Sequence, residues 1–173
     1  SITSGNLDWS NSSSLAYSST PSTLSQDLEP EYVAVSPNSE TAYVVCQENN
    51  ILAVVDLATS SVTALKGLGY KDHSLPGNGY DPTDRNDGQI NIAPQPTLGM
   101  YQPDAMVSHT IAGATYVFTA NEGDARDYDG YSEETRVEDL TLDPTAYPNA
   151  ATLQLQTALG RLKTTTSQGD MDG

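Results

Sequence analysis

Residues Pro30-Glu31-Tyr32-Val33-Ala34 recur as Pro103-Asp104-Ala105-Met106-Val107, at an offset of 73. The same ungapped offset lays Ala42-Tyr43-Val44-Val45 on Thr115-Tyr116-Val117-Phe118, and Gln47-Glu48-Asn49 on Ala120-Asn121-Glu122. A chain that repeats two strand-like runs and the loop after them is built from copies of one supersecondary unit. A general likeness among β sequences leaves the shared Pro-acid start unexplained.

The first copy predicts four short antiparallel strands over 32–36, 41–46, 51–57 and 62–65. Each run is rich in Val, Ile, Leu or Tyr and bounded by Pro, Asn, Asp or Ser turn residues. Four strands in under forty residues is the size of one propeller blade. The expected fold class is therefore all-β, with antiparallel four-stranded blades. The offset exceeds the ~40–45 residues of a blade. The excess lies in 67–100, a Gly-, Pro-, Asn- and Asp-rich stretch that reads as one long insertion loop. Two short helices are expected at 133–140 and 150–162, separated by Pro144 and Pro148.

At 173 residues the length suits about one domain. Residues 1–26 form a Ser/Thr-rich arm holding Trp9 and the sequon Asn11-Ser12-Ser13, too polar to fold alone. Residues 27–173 read as the N-terminal part of a propeller, with the insertion at 67–100 and an acidic loop at 121–139. Ser1 without a leader reads as a processed or trimmed chain. The closing Asp170-Met171-Asp172-Gly173 reads as the start of an Asp-rich loop.

Charge narrows the function. There are 23 acidic and 7 basic residues, a net charge of −16. That excludes the basic footprint of a nucleic-acid binder, opposes adsorption to anionic membranes and favours cationic partners. No apolar run approaches the ~18 residues of a membrane span. Hydrophobic residues make up only 36%. The abundance of Ser, Thr, Asn and Tyr suits an extracellular or cell-surface location. Cys46 is the single cysteine, so no internal disulfide forms, and its place among valines reads as a small core residue.

Two acidic loops are candidate metal sites. In 81–91, Asp81, Asp84 and Asp87 lie among Asn86, Asn91 and Gly88. Calcium takes about six to eight hard oxygens, which a loop supplies from carboxylates and its own carbonyls. The spacing is not that of an EF-hand, because Arg85 falls where a ligand belongs. The second loop is denser: Glu122, Asp124, Asp127 and Asp129 lead a run that continues to Asp139, with Arg126 and Arg136 interspersed. Carboxylates at alternate positions repel unless cations offset them. In the repeat this loop takes the place of Gln47-Glu48-Asn49-Asn50, so both loops are expected on one face of a propeller. Asp170 and Asp172 add a third, shorter motif. The alternative for all three is solvated acidic surface. No Gly-x-Ser-x-Gly elbow, P-loop or His-Glu-x-x-His occurs, and His73 and His109 stand alone.

The runs 27–36 and 42–57, Lys71-Asp72-His73-Ser74-Leu75-Pro76-Gly77-Asn78-Gly79, Gly99-Met100-Tyr101-Gln102-Pro103-Asp104 and Thr119-Ala120-Asn121-Glu122-Gly123-Asp124-Ala125-Arg126-Asp127-Tyr128 together resemble the choice-of-anchor I family of secreted proteins. The resemblance starts near residue 25 and leaves out the Ser-rich arm. It implies a β-propeller of YVTN type that extends beyond the blades seen in this chain. Relatives include mesenchyme-specific cell-surface glycoproteins of biomineralising animals and bacterial proteins labelled alkaline phosphatase.

Three readings result. The leading one is a secreted calcium-binding propeller with a cell-surface, matrix or biomineral-associated role, its acids engaging calcium, mineral or cationic polymers. The second is a metal-dependent phosphoesterase, in which Asp104, Glu122, Asp124 and Asp127 hold calcium or another divalent metal and Arg126 clamps phosphate. The third is a self-associating extracellular module that pairs through the arm or an open sheet edge.

Overall fold

The computed structural model describes residues 24–167; the Ser/Thr-rich arm with Trp9 and the sequon, and the terminus with Asp170 and Asp172, lie outside the described residues. After a single helical turn, α1 (Leu24–Asp27), come four strands: β1 (Pro30–Val35), β2 (Thr41–Cys46), β3 (Ile51–Asp56) and β4 (Ser61–Gly67). They form one antiparallel sheet in the order β1-β2-β3-β4. The turns follow from local chemistry. Ser36 Oγ accepts the Thr41 N–H, while Asp56 Oδ1 accepts both the N–H and the hydroxyl of Thr59.

The insertion is a laddered excursion rather than one open loop. β5 (Tyr70–Asp72) and β6 (Leu98–Met100) pair at its ends, and Tyr80 bridges Ala93 further out. Gly79 is required there, because a Cβ would stand 2.5 Å from the Ala93 carbonyl carbon.

The second copy is the hairpin β7 (Pro103–Ile111) and β8 (Ala114–Asn121). Its likeness to β1–β2 reaches the backbone irregularities. The β1–β2 register shifts between Pro30 and Tyr32, and the β7–β8 register shifts between Pro103 and Ala105. These positions correspond under the 73-residue offset. The acid of each Pro-acid pair, Glu31 or Asp104, is thus the extra residue of a β-bulge.

The copies also differ. Val33 faces Val44 in the first, but Met106 faces Thr119 rather than Val117 in the second. The tight Ala112-Gly113 turn, with φ of 50° and 84°, extends β7 to Ile111 and slides the register by two. A two-residue slip keeps each side chain on its original face.

The core lies between the copies. Ala34, Val45 and Met106 are buried together, with Tyr43, Leu52 and Val117 packed against them.

The rest of the chain is short pieces: β9 (Asp127–Tyr128), β10 (Tyr131–Ser132), β11 (Glu134–Arg136), a 3-10 turn Val137–Asp139, α2 (Ala150–Leu153) and β12 (Lys163–Thr165). The two expected helices are corrected here. Residues 134–136 are a strand because they pair with β12, and tertiary pairing overrides a weak local propensity. The second helix stops at Leu153, where the Gln154 side chain turns back to donate to the Val137 and Leu140 carbonyls at 3.0 and 2.7 Å.

The described residues divide into two compact units, residues 24–71 with Met100–Ala125, and Asp72–Gly99 with residues 126–167. The first holds both copies of the repeat. The sheets are antiparallel throughout, and the described residues form a meander and hairpins rather than a closed propeller.

Candidate functional site

The β2–β3 loop gathers most of the buried polar groups of the first unit. Asn50 is fully buried and sits in the left-handed region at φ 54°. Asn tolerates that conformation better than most residues. Its repeat equivalent, Gly123, has φ 89°. Asn50 Oδ1 accepts the N–H groups of Tyr101 and Gln102 at 3.2 and 3.1 Å, and its Nδ2 donates to the Gly69 carbonyl at 2.9 Å. Asn49 in turn donates to Asp27 Oδ2 at 2.9 Å and accepts the Glu29 N–H.

The start of the second acidic loop, Glu122-Gly123, meets this one. Gln47 Nε2 donates to Glu122 Oε2 at 3.1 Å and to the Gln102 carbonyl at 3.3 Å. The same carbonyl accepts the N–H groups of Glu122 and Gly123. Two polar atoms are left over: Glu48 Oε2 and Gln102 Nε2 are buried without a partner. Burial raises the Glu48 pKa above its ordinary value, and the carboxylates of Glu29, Glu31 and Asp124 push it further the same way. Burial, reinforced by Glu48 and Glu29, also lifts the Cys46 thiol to about 11. The carboxylates at this end of the sheet therefore make the potential at Glu48 and Cys46 negative. Sequence reading passed over Asn50, Glu48 and Gln102, although the paired Asn49-Asn50 before an apolar run signals a left-handed turn.

The other candidate loop belongs to the second unit. Asp81 Oδ2 accepts the Asn91 N–H at 3.1 Å, closing the loop on itself, and Asp84 pairs with Arg161 at 3.2 Å. Asp81, Asp84 and Asn86 line an open cavity of about 470 Å³. Asp87 is exposed at φ 58°.

The dense acidic run is divided between the units at Ala125 and Arg126. In the first unit, Glu122 and Asp124 are exposed, and Asp124 Oδ1 accepts the Ala125 N–H. Asp104, at its bulge, is exposed as well. In the second unit, Asp127 lies in β9, and Asp129-Gly130 is the two-residue turn of the β9–β10 hairpin, with Gly130 at φ 89°. Tyr128-Asp129-Gly130-Tyr131 is thus a hairpin signal that the acid count obscured. Arg126 forms a buried ion pair with Glu133 at 2.7 Å. Among the described residues no three His, Cys, Asp or Glu side chains assemble into a group able to hold a metal ion.

The family model for the choice-of-anchor I domain matches residues 3–173, and so takes in most of the Ser/Thr-rich arm as well. No curated protein and no solved structure matches the chain.

Proposed function

We infer the role of this chain from one premise: it belongs to the choice-of-anchor I family. Family membership supports an extracellular or surface-anchoring role. Within that role we propose a structural module of β-propeller type, stiffened by calcium, whose exposed acids engage mineral or cationic polymers. The observation that carries the structural part is what the polar residues do. Asn50, Gln47 and Glu122 tie loops to strands, and Arg126 is held by Glu133. The copies also pack with one face of the first against the opposite face of the second, which is how blades follow one another.

Calcium is supported by electrostatics. The partnerless Glu48 oxygen lies in the field of Glu29, Glu31 and Asp124. A divalent cation taking oxygens from these loops would relieve that repulsion and add its binding free energy to stability. No helix among the described residues is long and apolar enough to cross a membrane.

The test is metal content, thermal stability and phosphoester turnover on one sample before and after chelation. Stoichiometric calcium, a lower Tm on chelation and no turnover are expected. Turnover that disappears with the metal and returns on its addition would replace this reading by a metal-dependent phosphoesterase.

A further inference from the structure

Among the described residues the second copy of the repeat stops after two strands. In the first copy β2 is paired on both sides, with β1 and with β3, and Ile51 opens β3 directly after the left-handed Asn50. Under the offset of 73, Asn50 corresponds to Gly123, also at positive φ, and Ile51 corresponds to Asp124. No strand begins there. The chain passes into the second unit after Ala125, where β9 pairs with β10 and β11 with β12. Among the described residues β8 is therefore paired with β7 alone.

The outer edge of β8 carries none of the devices that keep a true edge from pairing. Such edges are blunted by charges, Pro, bulges or shortness. The outer strand of the first sheet, β4, holds Lys66 and pairs with β3 across a register shift at Val54 and Val55. At the other side of that sheet, β1 holds Glu31 at its bulge. β8 reads Ala-Thr-Tyr-Val-Phe-Thr-Ala-Asn: eight residues without a charge, a Pro or a Gly, seven of them exposed. The bulge of its hairpin lies on β7, between Pro103 and Ala105. In so acidic a chain an uncharged, β-branched and aromatic edge of this length is a template for a further strand.

We infer that the chain from Asp124 onward is an insertion into the second copy, and that the outer edge of β8 takes a strand of the same polypeptide from beyond the described residues, in the place that β3 holds on β2. The repeat fixes how that strand sits. β3 runs antiparallel to β2, with Ile51 opposite Cys46, Leu52 opposite Val45 and Asp56 opposite Thr41. The incoming strand therefore starts opposite Thr119 and ends opposite Ala114, with an apolar residue opposite Phe118 as Leu52 stands opposite Val45. A strand of the same chain prevails over one from another molecule, because its tether holds it at an effective concentration on the order of millimolar. The inference rests on the propeller reading given above, but not on calcium.

The test is hydrogen exchange read by mass spectrometry on the full natural polypeptide and on residues 1–173 alone, at several protein concentrations. Both are measured in chelator, so that a failure of the calcium reading leaves this result untouched. In the full polypeptide, residues 114–121 are expected to exchange as slowly as residues 41–46 of β2, at every concentration. In residues 1–173 alone they are expected to exchange faster than β2 by about tenfold or more, as an edge open to solvent does. Faster exchange of β8 than of β2 in the full polypeptide overturns the inference. So does protection there that falls on dilution, which would put a second molecule at the edge. Equal and strong protection of both strands in residues 1–173 overturns it as well. If residues 1–173 alone fail to fold, β2 exchanges fast too, and the full polypeptide decides.

Discussion

Asn50 and Gln102 join the two copies of the repeat through one buried hydrogen bond: the Gln102 N–H donates to Asn50 Oδ1 at 3.1 Å. The same oxygen accepts from Tyr101, and the same amide donates to Gly69. One side chain thus fixes the exit of the first copy and the entry to the second.

Replacing Asn50 should therefore act on the whole first unit. Asn50→Ala strands two N–H donors and a carbonyl, and places a Cβ-bearing residue without a compensating amide at positive φ. Stranded buried polar groups cost about 1–3 kcal/mol each where water cannot reach them. A loss of roughly 2–4 kcal/mol is expected, read as a lower urea midpoint. Asn50→Gly removes the same bonds but suits the φ, so its midpoint should fall between the two.

Ala112 offers the opposite effect. It holds φ 50° in a two-residue turn where Asn or Gly is the usual occupant. Ala112→Asn or Ala112→Gly should stabilise the β7–β8 hairpin by about 0.5–1 kcal/mol. Thermal unfolding at fixed pH measures it, and an unchanged or lower Tm would show that the turn relaxes in solution.

Glu48 predicts a pH dependence. Its folded pKa is raised above the ordinary 4.5 by burial and by neighbouring carboxylates. The proton is therefore held more tightly in the folded state. The stability this contributes is complete below pH 4.5 and is lost as pH rises through the folded pKa. Glu48→Gln should raise stability at neutral pH, and the gain should shrink on acidification. If calcium sits at this loop, saturating calcium should shrink the gain as well. Denaturant titrations of both proteins at acid and neutral pH, with and without calcium, decide it.

Cys46 should be inert. With the thiol at about 11 instead of 9.0, the thiolate fraction at pH 8 falls roughly 100-fold, before any steric protection. Labelling by a small thiol reagent should be slower than in the urea-unfolded chain by at least that factor. Labelling at the unfolded rate would show that β2 opens readily.

Sequence by itself determined the repeat, the strands of the four-stranded sheet and the Pro-acid signature, because strand alternation and turn residues act over a few neighbours. It placed β2 at Thr41–Cys46. It also made the chain acidic and single-cysteine, which bounded its partners. The tertiary structure decided what those local signals could not. β11 is a strand because β12 pairs with it, and the run from Glu122 to Asp129 separates because its halves pack into different units. Asn50 and Gln102 are distant in the chain and carry no periodic signal, so only folding could place them together. Which face of each hairpin lies buried depends equally on what packs against it. Two equivalent sets of apolar residues, Ala34, Tyr43 and Val45 in one copy and Val107, Tyr116 and Phe118 in the other, are consequently core in the first and surface in the second.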